Sequence, residues 1–144
     1  MIPPSEHPDI EELLPHRGNM LLIDEIVNVD ENAAVSRTTA KDRWPLCDGS
    51  HVSPLLLIEL VAQTSGLSNS LERLNKEGKG AQTKGWLVGI KKARLMVAAI
   101  PIGQVIVTEV KNSFKFEGFR EIEGMCKIGD ELVGEVTLQV VRAD

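Results

Sequence analysis

Glu59 and Gln63 stand four residues apart in Pro54-Leu55-Leu56-Leu57-Ile58-Glu59-Leu60-Val61-Ala62-Gln63, where the other eight residues are apolar. On a helix that spacing puts both side chains on one face, a turn apart. A carboxylate in such a run is expected to leave water as the helix packs, at a cost of several kcal/mol unless it is paired or protonated. His51 lies a short loop upstream, in Asp48-Gly49-Ser50-His51-Val52-Ser53-Pro54. An imidazole suited to take a proton near neutral pH and a carboxyl able to deliver one make an acid–base pair. Each has a plainer reading. Glu59 could be a structural carboxylate bonded to backbone N–H groups at a subunit seam, and His51 a solvent-facing loop residue. Gln63 could orient the carboxyl, bind a substrate hydroxyl, or satisfy a buried backbone group. His16 is the next candidate base if His51 stands far from Glu59. Cys47 has no activating neighbour in the sequence except His51 and reads as a buried free thiol.

The elements that must position these groups follow from punctuation and periodicity. Ser53 is a plausible cap and Pro54 suits a first helical position, so a long helix is expected from there through Leu74. Gly78 and Gly80 end it. Its first half is apolar almost all round, which requires burial by surrounding structure. Upstream, Asp9 could cap a short helix through Leu14, stopped by Pro15. Met20 to Val29 and Ala34 to Thr39 read as two strands, and residues 1–8 as an extended arm. After the helix, Gly85 to Lys92, Gln104 to Phe114, Phe119 to Ile128 and Glu131 to Val141 alternate or are rich in β-branched residues, with Gly129-Asp130 as a hairpin turn. The expected fold class is α+β: one domain over residues 1–144, a curved antiparallel sheet wrapped around one long helix.

Composition narrows the function. The 144 residues carry a net charge of −5, no Tyr and few aromatics, which argues against nucleic-acid binding. No apolar run approaches the ~20 residues of a membrane span. Cys47 and Cys126 are widely separated and lack metal spacing, so a reduced, cytoplasmic protein with two free thiols is expected.

Three segments together resemble a known family. Leu14-Pro15-His16-Arg17 followed by Met20-Leu21-Leu22-Ile23-Asp24 is similar to the opening of the hotdog-fold (3R)-hydroxyacyl-[acyl carrier protein] dehydratases. Ile58-Glu59-Leu60-Val61-Ala62-Gln63-Thr64 is similar to their central-helix signature. Gly89-Ile90-Lys91-Lys92-Ala93-Arg94 with Pro101-Ile102-Gly103-Gln104 resembles their post-helix strand and proline–glycine loop. The similarity runs from about Ile10 to Arg142. It implies a cofactor-free hydro-lyase, a homodimer or higher homo-oligomer, acting on a 3-hydroxyacyl thioester held on acyl carrier protein. His51 would then be the base and Glu59 of the other subunit the acid.

The chain departs from the family twice. Its histidine loop is shortened relative to the usual Gly-His-Phe-Pro segment, which makes it closer to a divergent branch associated with aryl-polyene-type biosynthesis. Pro54 stands where the usual enzymes have a glycine whose N–H binds the thioester carbonyl. Proline has no N–H, so Leu55 or Leu56 would have to supply that donor. In the usual enzymes the histidine of Leu-Pro-His-Arg orders the strand entrance, which is the implied role of His16. Lys91, Lys92 and Arg94 form a basic cluster that would steer an acidic carrier protein, or else a solvated strand face. Leu55, Leu56, Leu57, Val88, Ile90, Leu95 and Met96 could line an acyl tunnel or fill the core. Two other readings fit the same fold: a hotdog thioesterase using the helical carboxylate, and a non-catalytic subunit that binds acyl chains or carrier protein.

Overall fold

A computed structural model describes residues 7–78 and 85–142, with the backbone alone at 85–88 and 142. The expected arm is therefore seen only at its end, and Gly80 and the Val88 side chain lie outside the described residues.

The elements in order are α1 (Ile10–Leu13), a 3-10 turn (Gly18–Met20), β1 (Glu25–Val29), β2 (Ala33–Thr39), β3 (His51–Val52), α2 (Leu56–Glu77), β4 (Gly85–Leu95), β5 (Ile100–Pro101), β6 (Val105–Phe116), β7 (Phe119–Ile128) and β8 (Glu131–Arg142). Six strands form one sheet in the order β1-β2-β6-β7-β8-β4, every neighbour antiparallel. A short pair, β3-β5, stands apart from it. The sheet packs around α2, as expected for a hotdog fold.

Alternation builds the core. Ala34, Ser36 and Thr38 of β2, Ile106, Thr108 and Val110 of β6, Ile122 and Cys126 of β7, and Val136 and Leu138 of β8 are buried, every second residue along each strand. Against them α2 lays Leu57, Leu60, Val61, Thr64, Leu67 and Leu71. Two glycines set how closely the helix lies. A Cβ at Gly124 would sit 2.5 Å from Val61 Cγ1, and one at Gly134 2.9 Å from Leu57 Cδ1. The buried Thr64 hydroxyl is satisfied: it donates to Leu60 O at 2.6 Å and meets Ser36 Oγ at 2.8 Å.

Several boundaries shift by one to three residues from the sequence reading, and two element starts and one cap differ for identifiable reasons. The strand expected from Met20 begins only at Glu25. The reason lies in the partners of the preceding backbone. Met20 O accepts Gln63 Nε2 at 2.7 Å, Leu22 N donates to Gln63 Oε1 at 3.0 Å, and Leu22 O accepts the Thr38 hydroxyl. Side chains occupy the positions that a neighbouring strand would use. Asp9 precedes α1 but makes no side-chain cap. The main helix begins at Leu56, because Ser53, Pro54 and Leu55 form tighter turns: their carbonyls accept Leu56 N, Leu57 N and Ile58 N at 3.0–3.1 Å.

Candidate active site

Glu59 sits on the first turn of α2, on the side of the helix away from the sheet. That side carries Leu55, Ile58, Glu59 and Ala62, none of them buried, while Leu56, Leu57, Leu60 and Val61 turn inward. The expected desolvation of Glu59 therefore does not occur within one chain, where its side chain keeps 38% of its accessibility. The apolar residues around it divide between a face on the sheet and a face left open. Leu55 is 55% exposed on that open side.

Gln63 is the fixed point of the site. It is 1% exposed, and its amide oxygen accepts Leu22 N while its amide nitrogen donates to Met20 O and to Glu59 Oε1 at 3.0 Å. Two alternatives from the sequence thus hold together: Gln63 satisfies buried backbone groups and orients the carboxyl. Glu59 Oε2 receives no hydrogen bond from the described residues.

The imidazole nearest Glu59 in the same chain belongs to His16, with Nε2 3.4 Å from Oε1. Arg17 holds that segment in place, donating to Leu14 O, His16 O and Glu11 O at 2.6, 2.7 and 2.9 Å. Sequence reasoning gave His16 the lesser part, and only the Leu-Pro-His-Arg segment signalled it.

His51 is held elsewhere. Asp48 organises a tight loop in which its carboxylate accepts Ser50 N at 2.9 Å and His51 N at 2.7 Å, and its own N–H donates to His51 O at 3.0 Å. Those backbone N–H groups, with the nearby imidazole, hold the Asp48 carboxyl below its ordinary range. β3 then pairs with β5, Val52 turns into the core and His51 faces outward, 46% exposed, its Nδ1 4.0 Å from Asp48 Oδ1. Within one chain His51 makes no contact with Glu59.

Three sets of expected site groups already have partners or positions of their own within the chain. The Leu55 and Leu56 N–H groups offered as carbonyl donors are already engaged, by Ser53 Oγ at 3.2 Å and Ser53 O at 3.1 Å. Ser53, the expected helix cap, lies two and three residues before those amides and occupies them. The basic cluster is also balanced by carboxylates across the strands. Lys91 meets Glu121 at 3.0 Å, and Lys92 and Arg94 meet Glu135 at 3.8 and 3.3 Å. Finally, the tunnel residues separate: Leu56 and Leu57 are core, whereas Ile90 and Met96 are exposed. Cys47 is partly buried, accepting Gly49 N at 3.3 Å, and Cys126 is fully buried.

No group of three or more His, Cys, Asp or Glu among the described residues could hold a metal ion, and no described helix is long and apolar enough to cross a membrane.

With this geometry in view, comparison with known proteins is direct. Residues 8–144 match the family described as ApeP-like, ApeP dehydratase. A 3-hydroxyacyl-[acyl-carrier-protein] dehydratase FabZ of Caldanaerobacter subterraneus subsp. tengcongensis is 30% identical over 96% of this chain and 99% of its own length. The FabZ of Thermoanaerobacter pseudethanolicus is 27% identical over 96% and 98%. Among solved structures, the dehydratase heterocomplex ApeI:P from Xenorhabdus doucetiae superposes with a TM-score of 0.83 at 25% identity, covering 96% of this chain and 93% of that one.

Proposed function

Because the chain belongs to the ApeP-like dehydratase family, we propose that it removes water from a 3-hydroxyacyl thioester carried on acyl carrier protein, in fatty-acid or aryl-polyene-type biosynthesis in the cytoplasm. The observation that carries this reading is the state of Glu59. Its Oε1 is anchored by Gln63, its Oε2 is uncommitted, and it lies on a helix face that the described residues leave partly open.

In the reaction, an imidazole takes the α-proton and the electron pair moves into the thioester carbonyl. The enolate collapses, the β-hydroxyl departs with a proton from Glu59 Oε2, and the trans-2-enoyl thioester and water result. The imidazole assigned as base is His51 of a second hotdog subunit. It projects outward from β3, and an outward histidine and an open carboxylate on the same chain suit a site shared between two chains. The developing enolate needs a preorganised donor. Leu55 N–H fits that role by exchanging its 3.2 Å bond to Ser53 Oγ for the substrate carbonyl. Leu55 and Leu56 then flank the thioester.

The edge strand β4 provides the seam. Among the described strands it pairs only with β8, and its exposed segment includes Ile90. A second copy of the chain satisfies it, giving a homodimer. The likeness to one half of a dehydratase heterocomplex favours a further form, in which the second subunit is a different hotdog chain. Lys91, Lys92 and Arg94 on this strand remain the proposed carrier-protein contacts, with Glu121 and Glu135 displaced as docking proceeds.

The test supplies purified protein, alone and with a companion hotdog subunit, with 3-hydroxyacyl carrier-protein thioesters of several chain lengths, following enoyl formation. Turnover is expected, with Glu59→Gln reducing kcat at least about a thousandfold and His51→Ala about as much, since the two act as a unit. Absence of enoyl product under every condition, or an unimpaired Glu59→Gln enzyme, rejects the reading.

A further inference from the structure

His16 approaches Glu59 from the same chain, and its surroundings restrict what it can do there. Leu14 lies against α2, where a Cβ on Gly66 would meet its Cδ2 at 2.9 Å. Arg17 clamps the His16 carbonyl, and a few residues on the Met20 carbonyl is tied to Gln63. The imidazole is thus delivered to Glu59 by a segment fastened on both sides. Its Nε2 faces Oε1 at 3.4 Å, while Nδ1 is buried and meets no hydrogen-bond partner among the described residues.

These two facts select a tautomer. A neutral imidazole carries its proton on one nitrogen only. A proton on Nδ1 would bury an unpaired donor and leave a lone pair on Nε2 opposing the lone pairs of a carboxylate oxygen. A proton on Nε2 buries only a lone pair and puts the donor 3.4 Å from Oε1. The second arrangement avoids both penalties. It also removes His16 from contention as the base, because the nitrogen nearest the cleft has no lone pair to offer.

Resting on the dehydratase reading above, we propose that His16 is a positioning residue for Glu59. Its Nε2–H and the Gln63 amide both donate to Oε1, so that Oε2 alone carries and gives up the transferred proton. The 3.4 Å separation shortens when substrate and the second subunit close over the site, as hydrogen bonds in unliganded sites commonly do. Two donors on one oxygen stop the carboxyl rotating about its terminal bond, which would otherwise exchange the oxygen presented to the hydroxyl. Orientation at this level is worth about 10- to 100-fold in rate.

The test compares His16→Phe, which keeps a ring but removes the donor, with His16→Gln, whose amide can reach the Nε2 position. In the assembled, full-length protein with a 3-hydroxyacyl carrier-protein substrate, His16→Phe is expected to lower kcat about 10- to 100-fold with KM little changed. His16→Gln should recover most of that loss at an unaltered melting temperature. Nitrogen NMR of histidine-labelled protein should find His16 protonated on Nε2, with that resonance moving in Glu59→Gln. A fully active His16→Phe enzyme, a His16→Gln variant no better than His16→Phe, or a proton on Nδ1 overturns the proposal. If the wild-type protein turns over no thioester, the dehydratase reading fails, and the NMR result still decides the contact between His16 and Glu59.

Discussion

Gln63 follows Glu59 by one turn of α2 and donates to its Oε1 at 3.0 Å, while the same amide grips the backbone of Met20 and Leu22. One buried side chain therefore joins the helix, the irregular segment before β1 and the acid of the site. Every polar atom of the amide is used, so neither its rotamer nor its flip is free.

Gln63→Leu separates the two duties of that amide. Leu22 N and Met20 O lose their partners in a buried setting, which is expected to cost about 1–3 kcal/mol of stability each way the site fails to find water. Glu59 loses its anchor, and kcat is expected to fall about 10- to 100-fold. Denaturant unfolding and steady-state kinetics on the same preparation check both. A variant that unfolds more easily yet turns over normally would show that the amide serves the fold alone.

At the far end of the helix, Glu72 receives Lys115 at 2.6 Å and Arg120 at 2.9 Å. Burial raises its pKa, but the hydrogen bonds and charge of Lys115 and Arg120 outweigh that and leave the carboxyl below its ordinary 4.5. A carboxylate held low in the folded state contributes stability that is complete above the unfolded value and disappears as pH falls through the folded one. Melting temperature is therefore expected to drop as pH is lowered below about 4.5, and to drop less in Glu72→Gln. At neutral pH that variant should be less stable by about 2–4 kcal/mol, because two partly buried cations lose their partner.

The approach of α2 to β7 is set by Gly124, where an added Cβ would fall 2.5 Å from Val61 Cγ1. Gly124→Ala is expected to destabilise by about 1–3 kcal/mol through overpacking. Combining it with Val61→Ala, which makes room, should cost less than the sum of the two single changes. Additive losses in a double-mutant cycle would show that the helix moves away instead.

The two thiols should differ sharply in reactivity. Burial pushes Cys126 up to about 11, and it sits beneath α2 with Thr108 as its neighbour at 3.6 Å. Cys47 is partly accessible. At pH 8 a thiol reagent is expected to modify Cys47 alone in the native protein, and both cysteines in denaturant. Rapid labelling of Cys126 without unfolding would show that the sheet opens over the helix.

Much was legible before any coordinates. The apolar run around Glu59 announced a helix needing cover, and four later segments of alternating or β-branched residues announced the sheet that supplies it. Period and punctuation are local properties, so they survive reading in one dimension. The start of the first strand was not legible, because Leu22 and Met20 bond to a side chain more than forty residues away in sequence. Nor was the occupation of Leu55 N and Leu56 N by Ser53, since a capping residue and a turn residue look alike until φ and ψ are known.

By itself, then, the order of residues determined that a carboxylate and an amide would share a helical face amid leucines, with every histidine lying earlier in the chain. Only the folded chain decided that the leucines cover the inner side of that helix and not Glu59, that His16 approaches the carboxylate from within, and that His51 turns outward. Helical phase is a function of spacing along the chain, whereas which face meets the sheet and which imidazole arrives depends on the closing of long loops. That closure is governed by contacts between residues remote in sequence, and no local pattern encodes it.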